Sequence, residues 1–242
     1  LPAAKALQII DALTLAEKAE EDPFLPLMLW WATEEKLSTE PEVTRAWILS
    51  KAAWDAPVFG REILPRVGRM CMQERSPEAL NFAAQLLARS GDEATRQALL
   101  GGFEDGLRGE AMKDVPEALK GAVRALFVDA VPDGKMISVA MRLGVGERTP
   151  DALEALRTGR LEGADRRDVL QMLAEAREPK AFPLLVAMLN DGPSEDDRAA
   201  AIAGLQHYNT PEAADALVAS VPKLNAATGD KALGVLVSRK ES

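Results

Sequence analysis

Imidazole and thiol groups, which serve as metal ligands and in nucleophilic catalysis, are almost absent from this chain of 242 residues. His207 is the only histidine and Cys71 the only cysteine, so there is no imidazole pair for a metal and no second thiol for a zinc site or an internal disulfide. His207, beside Tyr208, fits a role at the C-terminus of a helix, where the helix dipole favours positive charge. Cys71 lies in the apolar segment Arg69-Met70-Cys71-Met72, which favours a buried, unreactive thiol.

Glycine-rich and acidic segments also lack the spacing that binding sites require. Gly101-Gly102-Phe103-Glu104-Asp105-Gly106 has acids where a phosphate would bind, and Gly134-Lys135 lacks the other residues of a phosphate loop, so both indicate turns or close-packing points. The acidic segment 190–197 lacks the terminal Glu of an EF-hand, and we interpret it as a solvated loop that caps the next helix. The sequence therefore predicts no catalytic residue, no metal ligand and no cofactor in this segment.

Four tryptophans are the most distinctive feature: Trp30, Trp31, Trp47 and Trp54 fall on two successive predicted helices. Adjacent residues on a helix point about 100° apart, so Trp30 and Trp31 are not expected to be buried in the same layer. Two interpretations stay open. The tryptophans fill contacts between adjacent helices and a neighbouring domain, or they form a platform for a carbohydrate or peptide. All four are therefore candidate interaction residues.

The elements that position these residues are predicted to be helices. A capping hydroxyl followed by Pro, an acid and Ala begins three of them, at Ser76, Thr149 and Thr210, and Ser194 begins another as a capping-box variant. Apolar residues keep the helical i, i+3, i+4, i+7 period, and no window alternates as a strand would. Helices are predicted near 3–20, 23–35, 41–54, 58–73, 77–90, 92–108, 116–130, 135–143, 150–159, 164–177, 179–190, 196–207, 211–223 and 229–238.

Paired helices with short loops predict an all-α fold, an α-solenoid of HEAT or armadillo-like helix pairs with essentially no β-sheet. The irregular stretch from Val131 to Gly146 predicts a joint between two lobes of one continuous solenoid. These are a tryptophan-rich N-terminal lobe over 1–131 and a HEAT-like repeat lobe over 132–242, which we expect to be truncated at its end.

The composition of the chain limits the classes of molecule that it is expected to bind. The formal net charge of -9 repels phosphate backbones, so nucleic acid is excluded as a partner. No stretch reaches the roughly 20 apolar residues that span a bilayer, so no direct membrane insertion is expected. The chain begins Leu1-Pro2 without a leader pattern, and we interpret it as a piece of a longer protein whose partners are proteins.

Three segments resemble the helical-repeat region of large planctomycete and verrucomicrobial proteins of the membrane-bound-dehydrogenase type. They are Asp22-Pro23-Phe24-Leu25-Pro26-Leu27-Met28-Leu29-Trp30-Trp31-Ala32-Thr33-Glu34, Leu99-Leu100-Gly101-Gly102-Phe103 running to Leu107-Arg108-Gly109, and Leu236-Val237-Ser238-Arg239. The resemblance implies a β-propeller before the repeats, a haem c domain with a CxxCH motif after them, and a periplasmic or extracytoplasmic location. Cys71 is followed by Met72-Gln73-Glu74, so no haem residue can be assigned in this chain.

The leading hypothesis is a noncatalytic helical-repeat scaffold, a segment of a larger extracytoplasmic redox-linked protein. The second is a carbohydrate- or peptide-binding module that uses the tryptophan-rich lobe. An enzyme ranks third, because the sequence shows no converging nucleophile, base and oxyanion donors.

Overall fold

The computed structural model describes residues 1–51, 54–107, 110–128, 132–145 and 148–238. Within these ranges the chain forms fourteen α-helices and no β-strand, which confirms the predicted all-α class. The helices are α1 (Ala3–Thr14), α2 (Leu25–Thr39), α3 (Pro41–Ser50), α4 (Leu64–Glu74), α5 (Pro77–Arg89), α6 (Glu93–Leu107), α7 (Glu117–Ala125), α8 (Gly134–Arg142), α9 (Thr149–Arg157), α10 (Gly163–Glu175), α11 (Phe182–Asp191), α12 (Glu195–Leu205), α13 (Pro211–Ser220) and α14 (Ala226–Ser238).

Three predicted helices, 3–20, 41–54 and 116–130, extend too far. The last of them ends at Ala125, before the turn residues 126–128. The first ends at Thr14 instead of residue 20. The predicted continuation is interrupted at Lys18, which adopts a left-handed backbone (φ 61°) before a short 3₁₀ turn at Ala19–Glu21. The predicted helix 41–54 ends at Ser50, because the backbone of Lys51 is extended (ψ 129°). Trp54 therefore follows α3 instead of lying on it. A π-helical turn at Phe59–Ile63 then leads directly into α4.

Some residues named in the sequence analysis lie outside the described residues. They are the ends of the predicted helices 92–108 and 116–130, part of the predicted helix 41–54, the limits Val131 and Gly146 of the predicted joint, and the quoted residues Arg108, Gly109 and Arg239.

The chain forms two compact units, one of Leu1–Val131 with Arg142–Val145 and the other of Pro132–Met141 with Gly146–Ser242. In the first unit, α4 packs on α6 and α5 on α7. A Cβ on Gly102 would lie 2.7 Å from the carbonyl carbon of Pro65, and one on Gly106 would lie 2.5 Å from the carbonyl oxygen of Arg69. The glycines thus permit a close approach of α4 and α6, which confirms the close-packing interpretation of that segment.

In the second unit, alternate helices stack on one another. Contacts join α10 to α12, α12 to α14, and α11 to α13. This pattern is typical of helix pairs in a solenoid, where each pair buries its apolar stripe against the next pair. The core that results is almost wholly aliphatic and consists of Leu170, Ala174, Leu185, Met188, Leu189, Ala201, Ile202, Leu205, Tyr208, Ala213, Leu217 and Ala232.

Three of the four predicted caps are present. The hydroxyl oxygens of Ser76, Ser194 and Thr210 accept hydrogen bonds from the N–H groups of Ala79 (3.1 Å), Asp197 (3.1 Å) and Ala213 (3.4 Å). The prediction for Thr149 is wrong, because α9 begins at Thr149 itself and Arg148, the residue before it, makes no side-chain capping bond.

Candidate interaction surface

Helix α2 has apolar side chains on two opposite faces. Its inner face buries Leu29, Trp30 and Leu37. Its outer face exposes Leu27 (39%), Met28 (58%) and Trp31 (57%), and the N-cap residue Phe24 (71%) extends this face by one position. These four occupy positions i, i+3, i+4 and i+7, so they form one continuous stripe along the helix, which we call the α2 stripe.

A local cap fixes where the α2 stripe begins. The Asp22 carboxylate oxygen Oδ1 accepts hydrogen bonds from the backbone N–H groups of Phe24 and Leu25, both at 2.8 Å. These two bonds favour the charged carboxylate and hold the pKa of Asp22 below its usual value. Pro26 follows in the first turn, where its missing N–H is not required. The cap therefore anchors Phe24 at the helix start.

The structure separates the four candidate tryptophans into different environments. Trp30 (4% exposed) and Trp54 (7% exposed) are buried, Trp47 is half-buried, and only Trp31 is largely exposed. Trp30 and Trp31 thus do not share a layer, as their adjacency predicts. Of the four, Trp31 is the one that presents most of its surface for contact with another molecule.

Trp47 and Trp54 belong to an aromatic cluster around Phe59. Trp47 meets the Phe59 ring edge-on at 5.7 Å between ring centroids, and Trp54 lies 6.5 Å from it. The Trp54 indole N–H donates to the carbonyl oxygen of Ile48 at 2.9 Å. The Arg89 guanidinium stacks 5.1 Å above the Trp54 ring. Through these contacts, the indoles of Trp47 and Trp54 hold α3 and the segment after it in place.

A buried lysine completes this cluster. Lys51 is 6% exposed, and its ammonium forms an ion pair with Asp11 and a 3.1 Å hydrogen bond to the Thr14 hydroxyl. The ammonium also lies 4.9 Å from the centroid of the Phe59 ring. The role of Lys51 has no signal in the sequence pattern, because its partners come from α1 and from the π-helical turn.

Acidic residues border the α2 stripe at both ends. Glu20, Glu21 and Asp22 are exposed before its N-terminal end, and Glu34 and Glu35 follow its C-terminal end. Lys18 lies 3.8 Å from Glu21 in an exposed pair, and Lys36 lies 2.9 Å from Glu35. Between residues 17 and 36 there are six acidic and two basic side chains, so the surface around the stripe has a net negative charge.

The single thiol and the single imidazole lie apart from this surface. Cys71 is buried on α4, and desolvation raises the pKa of its thiol to about 12, which confirms the expected buried thiol. His207 follows the end of α12, where its backbone N–H donates to the carbonyl oxygen of Gly204, and its Nε2 lies 3.2 Å from the Gln171 side-chain nitrogen. Its position at a helix C-terminus is as predicted.

The sequence analysis expected the acidic segment 190–197 to be a solvated loop, but one of its residues is buried. Asp197 is only 2% exposed, and its carboxylate forms ion pairs with Arg166 at 2.9 Å and Arg167 at 3.4 Å. The same carboxylate accepts a hydrogen bond from the Ser194 hydroxyl at 2.6 Å. Burial acts to raise the pKa of Asp197, but the hydrogen bonds from Ser194 and Arg166 and the arginine charge outweigh it and lower that pKa. The Arg166-Arg167 doublet thus braces α10 against the start of α12.

A cleft in the second unit was not anticipated from the sequence. It lies between α12 and α14 and has a volume of about 400 Å³. Small residues, Ala199 and Ala203 on α12 and Gly234 on α14, leave this space between the two helices, and Lys231 contributes the one charged group among its lining residues. The lining has no pair of groups for acid–base chemistry.

The stacking of the second unit agrees with one comparison to known proteins. Residues 149–227 match the family model for HEAT repeats. The match begins at the first residue of α9 and reaches the start of α14, so it supports the predicted HEAT-like helical repeats in this part of the chain. No curated protein and no solved structure matches the chain.

Two further findings concern ions and membranes. Within the described ranges, no group of three or more His, Cys, Asp or Glu side chains is placed to hold a metal ion. In the same part of the chain, every helix is too short or too polar to span a bilayer.

Proposed function

We propose that this chain is a noncatalytic helical-repeat scaffold that positions neighbouring domains and other proteins within a larger, extracytoplasmic, redox-linked protein. HEAT repeats suggest a scaffold or interaction module, and the family is typically noncatalytic. The observation that most favours an interaction role is the α2 stripe, because folded domains seldom leave four large apolar side chains in one row in water.

The intact mass and the visible absorption spectrum of the native protein, purified from its source, test the redox-linked context. The proposal expects a mass well above the 26.0 kDa of this chain and the absorption bands of c-type haem. The resemblance to planctomycete and verrucomicrobial proteins supports this expectation. A mass near 26.0 kDa without a visible chromophore would contradict it and leave a free-standing scaffold.

A ligand-binding module is the second candidate, and the exposure of Trp31 and Phe24 favours it. Carbohydrates bind proteins by stacking on such aromatic rings, and bound ligand would change the environment of the Trp31 indole. Titration of the chain with a panel of sugars would then give a saturable shift in tryptophan fluorescence that the Trp31→Phe variant lacks. Fluorescence that no sugar changes would refute the carbohydrate form of this candidate and leave the scaffold role in place.

A further inference from the structure

We propose that the α2 stripe docks one amphipathic helix of a partner protein, and that lysine or arginine residues border the apolar face of that helix. This inference rests on the proposed scaffold function and names the chemistry of one partner.

The spacing of the stripe suits a helical partner. Phe24, Leu27, Met28 and Trp31 form a ridge over two turns, about 10 Å long. Helices pack by placing such i, i+3 and i+4 ridges against the grooves of a facing helix. A partner helix with apolar residues at the same spacing would cover the row of side chains, with Trp31 as the large aromatic anchor near one end.

The area and the charge of the stripe together bear on whether a single helix or a second copy of this chain covers it. With aromatic side chains of about 150–250 Å² each, the four residues expose roughly 450 Å² in total. A stable interface between two folded proteins buries about 800 Å² on each partner. About 56–58% of such an interface is apolar, so the apolar area of the stripe suits either occupant. A second copy would bring its own acidic borders against the first set, and like-charge repulsion disfavours that arrangement.

The charge around the stripe indicates what charge the partner helix should have. Glu20, Glu21 and Asp22 border one end, and Glu34 and Glu35 border the other. A helix with basic residues at both ends of its apolar face would place positive charge beside both acidic borders. The same borders would repel an acidic helix and an anionic lipid surface.

Two designed peptides test the proposal on the full chain. Both contain about 20 residues, with leucines at i, i+3, i+4 and i+7. One has lysines at both ends of the apolar row, and the other has glutamates there. By fluorescence anisotropy we expect the lysine peptide to bind with a Kd on the order of 10 μM, at least about tenfold more tightly than the glutamate peptide.

Matched variants assign the binding to the stripe. Trp31→Ser should weaken binding of the lysine peptide at least about tenfold. Val218→Ser removes an apolar side chain from α13 that is 58% exposed, and should leave the affinity unchanged. The pair Glu20→Lys and Glu34→Lys leaves three acids and two lysines in the borders, and should largely remove the preference between the two peptides. All these residues are partly or largely exposed, so the variants should keep the wild-type far-ultraviolet circular dichroism.

Several results would overturn the inference. Equal binding of both peptides would refute the charge selection, and lysine-peptide binding that Trp31→Ser does not weaken would refute the location. A dimer in sedimentation experiments that Trp31→Ser dissociates would assign the stripe to a second copy. Binding to phosphatidylcholine vesicles that Trp31→Ser abolishes would assign it to a lipid surface. None of these results depends on the mass or haem spectrum of the parent protein, so the two proposals fail separately.

Discussion

The substitution Gly102→Ala tests the close approach of α4 and α6. A methyl group at this position would lie 2.7 Å from the carbonyl carbon and 2.9 Å from the Cα of Pro65, whereas ordinary contact begins near 3.4 Å. Both atoms belong to the α4 backbone, so no side chain can rotate away. The two helices must separate, and each apolar contact between them must lengthen.

The expected loss follows from two opposing effects. Overpacking a tightly packed core costs about 1–3 kcal/mol, and a clash with backbone lies at the upper end of that range. Alanine is favoured over glycine in a helix interior by about 1 kcal/mol. We therefore expect Gly102→Ala to lower the free energy of unfolding by about 2 kcal/mol. Gly106→Ala should behave similarly, because its Cβ would lie 2.6 Å from the Cβ of Met72.

Gly121 provides the matched control. It lies within α7 in the same unit, and a Cβ built there meets nothing within 4 Å. Gly121→Ala should therefore raise the free energy of unfolding by about 0.5–1 kcal/mol. The two variants make the same chemical change, so the difference between them isolates the contact with α4.

Guanidinium unfolding followed by tryptophan fluorescence is the appropriate assay. All four tryptophans lie in the first unit, so the signal reports unfolding of the unit that contains both glycines. The midpoint should fall for Gly102→Ala and rise for Gly121→Ala at an unchanged m-value. A Gly102→Ala protein as stable as the Gly121→Ala protein would refute the close approach of the two helices.

Three further predictions concern other parts of the chain. Asp197→Asn should destabilise the second unit by about 2 kcal/mol, since it leaves Arg166 and Arg167 without their buried partner; faster hydrogen exchange of α10 and α12 amides would show this. The pKa of Asp197 is lowered in the folded state. Its contribution to the free energy of unfolding is therefore complete above about pH 4 and is lost as the pH falls through that lowered pKa. The stabilities of the variant and the wild type should converge in acid. The thiol of Cys71 should resist alkylation at pH 8 and react only on unfolding, and labelling of the native protein at the rate of a free thiol would contradict its burial. Trp31→Phe should remove most of the tryptophan emission that acrylamide quenches, whereas undiminished quenching would mean that another indole is exposed.

The relation between sequence and structure differs between local and long-range features. Helix starts at Ser76, Ser194 and Thr210 follow from a hydroxyl and the next few residues, so they could be predicted. The end of α3 at Ser50 could not, because Lys51 leaves the helix and buries its ammonium beside Phe59 and Asp11, and Asp11 is 40 positions away in the sequence. Thr149 shows that a capping sequence alone does not fix where a helix begins.

The candidate surface was only partly predictable. The adjacency of Trp30 and Trp31 requires different environments for the two indoles. Which of them faces water depends on the packing of α2 within the first unit, which buries the face containing Leu29 and Leu37. The spacing of Phe24, Leu27, Met28 and Trp31 is visible in the sequence, and an apolar row opposite the buried one is the signal that could have identified the α2 stripe.

The sequence by itself determined the all-α class, most helix positions and the buried character of Cys71, because these depend on local spacing, capping and composition. The tertiary structure decided which tryptophan is exposed, that Gly102 and Gly106 meet the backbone of α4, and that Asp197 is buried against two arginines of α10. The physical reason is that burial and ion pairing depend on side chains 30 or more positions apart, such as Arg167 and Asp197, and only the packed helices bring such residues together.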